Sequence, residues 1–111
     1  MPYNQTLSQR IRSILEEHPS IIEKKMFGGV GFILRGNMAC GVQGDDLIVR
    51  VGTEKNDVAL SQPYVRSFMG SGGKSMAGWV LVAPEGVSTD QDLRQWIELG
   101  CEFALSLPEK Q

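Results

Sequence analysis

Between positions 30 and 51 the chain falls into three blocks of six residues, 30–35, 38–43 and 46–51, separated by Gly36-Asn37 and Gly44-Asp45. Both pairs accept the positive φ of a two-residue hairpin turn, so the blocks read as a three-strand antiparallel meander. Turns of that length also set a register. Ile33 then faces Cys40 and Cys40 faces Val49; Gly31 faces Val42 and Val42 faces Leu47; Arg35, Met38 and Val51 make a third row. That face is almost wholly apolar and is the expected core. The reverse face carries Phe32, Gly41 and Ile48 in one row and Leu34, Ala39 and Arg50 in the next. A sheet with one wet face alternates more cleanly than this. The second face therefore requires a cover, supplied by the chain's own helices or by a partner. Phe32, Leu34 and Ile48 are the residues that a self-association face would use.

The flanking segments change period. Leu7, Ile11, Ile14 and Leu15 recur as one face of a helix over residues 6–17, with Thr6 and Gln9 as a capping box and Pro19 as the stop. His18 then lies at a helix end, as a surface residue. Residues 53–61 read as a short helix capped by Thr53 and closed by Pro63. Residues 64–69 and 76–83 read as strands joined by the Gly70-Ser71-Gly72-Gly73 loop, and Pro84-Glu85-Gly86 as a turn. Ser88 and Gln91 form a second capping box, opening a helix that runs to about residue 107. Its stripe of Leu93, Trp96, Ile97, Gly100, Phe103, Ala104 and Leu107 includes a glycine, which signals close packing against another element. The order of helix, strands, helix, strands, helix predicts an α+β fold: a mainly antiparallel sheet with a three-strand meander, flanked by N-terminal, short middle and long C-terminal helices.

Composition narrows this picture. The 111 residues suit one domain, and 11 Lys+Arg against 13 Asp+Glu leave a net charge of −2. That balance disfavours a strongly basic nucleic-acid module but leaves room for a local basic patch. No apolar run approaches the ~20 residues of a membrane-spanning helix. The first residues lack the basic and apolar blocks of an export signal, so a cytoplasmic location is expected, with Cys40 and Cys101 as free buried thiols. One histidine and two separated cysteines do not make a His/Cys zinc site, and no metal is expected.

Candidate chemistry is sparse. Gly73-Lys74-Ser75 has the end of a phosphate loop, but the required earlier glycine is Phe68 and a strand follows instead of a helix. A looser nest of backbone amides at Gly72-Gly73 beside Lys74 remains a candidate for a small anion. Gly28-Gly29-Val30-Gly31 lacks dinucleotide-loop spacing and runs into a strand. Asp45-Asp46 and Glu16-Glu17 belong to a turn and a helix end, as solvated charge. No nucleophile has a base beside it, so no catalytic residue and no cofactor is expected. Arg50 and Arg66 lie among apolar and aromatic neighbours; such an arginine either receives an anion or base or pairs internally, for instance with Glu85 or Glu98.

Lys25-Met26-Phe27-Gly28-Gly29-Val30-Gly31-Phe32, the strand at 47–52, Gly73-Lys74-Ser75-Met76-Ala77-Gly78-Trp79 and the helix at 93–107 together resemble the N-terminal domain of the TfoX/Sxy family, over about residues 7–107. The resemblance implies a compact α+β fold similar to secretion-chaperone-like domains. It supplies no catalytic residue, and among its motif positions are Phe27, Gly28, Gly29, Lys74, Ser75 and Trp79. Named members regulate natural competence together with the cAMP receptor protein and carry a second, C-terminal domain; this chain is expected to be the first domain standing alone.

The leading expectation is a non-enzymatic regulatory module that binds a protein partner, a second copy included. Direct nucleic-acid binding through Lys24, Lys25, Arg66 and Lys74 is the alternative, and a small anionic ligand at Gly72-Gly73-Lys74 a third. Lys25, Arg50, Arg66, Gly72, Gly73, Lys74 and Ser75 are the candidate anion- or partner-binding residues.

Overall fold

In a computed structural model, residues 4–17, 21–26, 29–69 and 75–108 are described. His18, Phe27, Gly28, Gly72, Gly73 and Lys74 lie outside the described residues, and so do the expectations placed on them. The elements in chain order are α1 (Gln5–Ile14), β1 (Ile21–Met26), β2 (Gly29–Leu34), β3 (Asn37–Gln43), β4 (Asp46–Arg50), α2 (Asn56–Leu60), β5 (Val65–Met69), β6 (Ser75–Val82) and α3 (Asp90–Ser106). Short 3-10 turns follow α1 at Leu15–Glu17 and precede α3 at Pro84–Val87. The six strands form one antiparallel sheet in the order β1-β2-β3-β4-β6-β5. This is the expected α+β architecture, with one strand, β1, that the sequence pattern did not announce.

The meander forms where expected, but its first turn sits one residue early. Arg35 and Gly36, at φ 55° and 82°, make the β2–β3 turn, and Leu34 pairs with Asn37. A bulge between the Phe32 and Ile33 registers then brings Phe32 opposite Cys40 and Gly31 opposite Gly41. Because side chains alternate, a one-residue shift exchanges the faces of a whole strand. Phe32 and Leu34 therefore join Cys40, Val42, Leu47, Val49, Val80 and Val82 in the core instead of lying on the reverse face. The β3–β4 register is as expected, with Cys40 opposite Val49 and Val42 opposite Leu47.

The helices close over this face. Leu7, Ile11 and Leu15 from the N-terminal segment, and Leu93, Ile97, Cys101 and Ala104 from α3, complete the core. Gly100 explains how α3 comes so near: a Cβ there would collide with the Ala39 carbonyl of β3. The helix ends at a tie to the first hairpin, where the Asn37 side-chain amide donates to the Pro108 carbonyl (2.9 Å). At the other end, Arg12 forks onto Glu23 (2.7 and 3.0 Å) and joins α1 to the edge strand β1.

The reverse face is narrower than the sequence reading made it. One cross-strand row runs Lys24, Gly31, Gly41, Ile48, Leu81, Arg66 through all six strands. Phe32 (1% exposed), Leu34 (3%) and Ile48 (0%) are all buried within the single protomer. The expected self-association face is thus corrected: two of its three residues are core, and none is open to a partner.

Candidate functional site

The basic candidates do not gather. Lys24 and Lys25 are exposed on β1, one edge of the sheet, and Arg66 is exposed on β5, the other edge. Arg66 reaches across β6 to form an ion pair with Asp46 of β4, so it does pair internally, though with neither Glu85 nor Glu98. Arg50, at the end of β4, lies with its guanidinium carbon 5.0 Å from the Trp79 ring centroid and 5.3 Å from that of Phe103. Those are cation–π distances, and they pin β4, β6 and α3 together. Gly52 makes room for this stack: it holds φ 87°, and a Cβ on it would stand 2.5 Å from the Phe103 ring. Ser75 begins β6 opposite Met69.

Cys40 and Cys101 are buried and free. Burial pushes the Cys101 thiol up to about 11, with the Glu98 carboxylate adding to the effect. Burial raises Cys40 further, and Cys101 contributes. Thiols so far from ionisation are poor nucleophiles at neutral pH. Among the described residues no group of three or more His, Cys, Asp or Glu side chains is placed to hold a metal ion. No helix there is long and apolar enough to cross a membrane.

A different region has the geometry of a binding site. α2, the 3-10 turn at Pro84–Val87 and the first half of α3 enclose a groove of about 720 Å³. Each wall follows from local sequence. The buried stripe of α3 is Leu93, Ile97, Gly100, Cys101 and Ala104; Trp96 and Leu99 sit one position back from it, half-buried, and border the hollow. From α2, Ala59 is buried and its neighbour Val58 is 65% exposed. Pro63 ends that helix and Tyr64 begins the return to the sheet.

Tyr64 is the unusual residue of this wall. The sequence reading placed it inside a strand, but its φ is 66°, a left-handed conformation that a bulky residue adopts rarely. Such backbone costs about 1 to 3 kcal/mol. The surrounding structure holds it: Ala83 N–H donates to the Tyr64 carbonyl (2.8 Å), and Val65 pairs immediately with Val82. Gly86 closes in beneath, where a Cβ would stand 2.7 Å from Val82 and 3.3 Å from the Tyr64 Cβ. All this holds a tyrosine that, as a residue, stays 57% exposed. The protomer recovers little burial energy from it.

The polar members of the groove are Lys55, Gln62, Glu85, Asp92 and Gln95. Lys55 Nζ is 3.0 Å from a Glu102 carboxylate oxygen, so its charge is matched. Glu85 and Asp92 have no ion-pair partner among the described residues. None of the groove residues was singled out from sequence as a site. The available signals were weak ones: an aromatic directly after Pro63, and a tryptophan at the margin of a helical stripe.

These observations define a small α+β domain whose sheet is covered by helices on one side and whose open feature is an apolar groove, without an assembled set of reactive groups among the described residues. The TfoX N-terminal domain model matches residues 13–104, and the chain belongs to that family. No curated protein and no solved structure matches it.

Proposed function

We propose that this chain is a non-enzymatic regulatory module that binds a protein partner through the groove between α2 and α3, in transcriptional regulation of the kind that the family resemblance implies. The observation that carries this reading is where the exposed apolar surface lies. Five large apolar side chains are exposed among the described residues, and two of them, Val58 and Tyr64, line this one groove beside Trp96. Tyrosine and tryptophan are the side chains that most often anchor protein interfaces. Burying such surface contributes about 25 cal/mol per Å² before the costs of association are met. The separation of Lys24 and Lys25 from Arg66, on opposite sheet edges, gives the nucleic-acid alternative no comparable support.

The test is site-specific photo-cross-linking in cells, with the probe at position 58 and, as control, at position 25 on the edge strand β1. The expected result is one discrete heavier adduct from position 58, lost in Tyr64→Gly. Adducts from position 25 alone, or from neither position, overturn the reading.

A further inference from the structure

We infer that the partner segment seated in this groove is a peptide stretch in which apolar side chains stand next to lysine or arginine. The inference rests on the partner-binding reading above and adds the chemistry of the partner. Three features carry it.

The first is charge. Glu85 projects from the 3-10 turn and Asp92 from the first turn of α3, both exposed on the groove. The only cation of the lining, Lys55, is held by Glu102. The groove therefore presents two unmatched carboxylates around an apolar floor, which complements an apolar segment with cationic flanks. The second is size and lining. A hollow of about 720 Å³ accommodates a few side chains, and the Gln62 and Gln95 amides offer donors and acceptors to an extended backbone. The third is the strained Tyr64, which lines the groove and, as a residue, stays exposed in its own protomer. A residue already held in place loses little freedom when a ligand covers it.

The same charges argue against a second copy as the occupant. In a two-fold dimer the same patch meets itself, which would bring Glu85 and Asp92 of each protomer toward those of the other. They also argue against a nucleic-acid strand, whose phosphates the carboxylates would repel.

The experiment uses two synthetic peptides of equal length and identical leucine and phenylalanine positions, one with lysine and one with glutamate at the flanks. Each is titrated into the isotope-labelled full chain and followed by backbone and indole amide shifts. The lysine peptide should bind about tenfold tighter than the glutamate peptide, more weakly as salt is raised, with shifts centred on Val58, Tyr64 and Trp96. Glu85→Lys combined with Asp92→Asn should erase or reverse the preference. Tyr64→Gly should lower affinity for the lysine peptide about tenfold while its melting temperature stays equal or rises, since glycine relieves the positive φ. That pairing separates a binding role from damage to the fold.

Equal affinities, a preference for the glutamate peptide, binding of neither, or shifts centred elsewhere overturn the inference. So does a concentration-dependent dimer in light scattering that Tyr64→Gly dissolves, which would make a second copy the occupant. If position 58 still cross-links a partner while the two peptides bind alike, the charge inference fails and the partner-binding reading stands.

Discussion

Cys40 and Cys101 show how much of a residue's behaviour is set by its surroundings. One sits on β3 and the other on α3, both inside the core, and both favour the neutral thiol. A folded-state pKa above the unfolded value of 9.0 means that the folded chain holds protons which the unfolded chain releases. Stability from these groups is therefore complete below pH 9 and is lost as pH rises through about 11 for Cys101 and beyond for Cys40. Denaturant melts should give the same midpoint at pH 7 and 8, then fall between pH 9 and 11 by up to about 1.4 kcal/mol per pH unit for each thiol. The slope should shrink in Cys101→Ala. A thiol-specific dye at pH 8 should label neither cysteine until the chain unfolds. The free, buried state of both residues was legible from their neighbours in the sequence; the shifts, which depend first on how deeply the fold buries each thiol and then on Cys101 beside Cys40 and Glu98 beside Cys101, were not.

Among the elements, the helix starts are the clearest case of a local pattern missing by a small step. The capping-box spacing is satisfied at Thr6-Gln9 and at Ser88-Gln91, yet the caps in use are Asn4, whose side chain accepts from Leu7 N–H (3.0 Å), and Thr89, which accepts from Asp92 N–H (3.1 Å). Asn4 is fixed from outside the helix: its backbone N–H donates to the Gly44 carbonyl and its amide to Asp45, both in the second hairpin turn. Asn4→Ala and Thr89→Ala should each cost about 1 kcal/mol in thermal or chemical melts, whereas Thr6→Ala and Ser88→Ala should change stability by less than about half that. β1 was missed for a related reason. Residues 21–26 have no clean alternation, and the strand exists because it pairs with β2 and is bound to α1 through the Arg12–Glu23 fork. Its exposed Lys24 and Lys25 suit an edge, where charge discourages pairing with other chains. Such a strand leaves little hydrophobic signal.

At the scale of the whole molecule, the decisive event is the bulge in the β2–β3 pairing between the Phe32 and Ile33 registers. It turns β2 over relative to β3 and puts Phe32 in the core. A substitution that would probe a surface on the sequence reading becomes a test of folding. Phe32→Ala should cost about 3 to 5 kcal/mol and lower the melting temperature without altering any self-association. The same tertiary arrangement creates the groove, because its walls come from three segments, 55–64, 85–86 and 92–99, that no local window joins. Tyr64 reads as an ordinary strand residue until Ala83 and Gly86 are seen to hold it.

The amino-acid order alone determined the class of fold, the meander with its β3–β4 register, the long C-terminal helix with a close-packed glycine, and the family motif. All of these depend on periodicity, turn residues and short spacings, which act over a few positions. Tertiary structure decided which face of β2 is buried, which side chains cap the helices, how Arg50 and Arg66 are engaged, and where apolar surface remains open. Those outcomes turn on competition between parts of the chain far apart in sequence, where a shift of one residue or one long-range hydrogen bond exceeds any local preference.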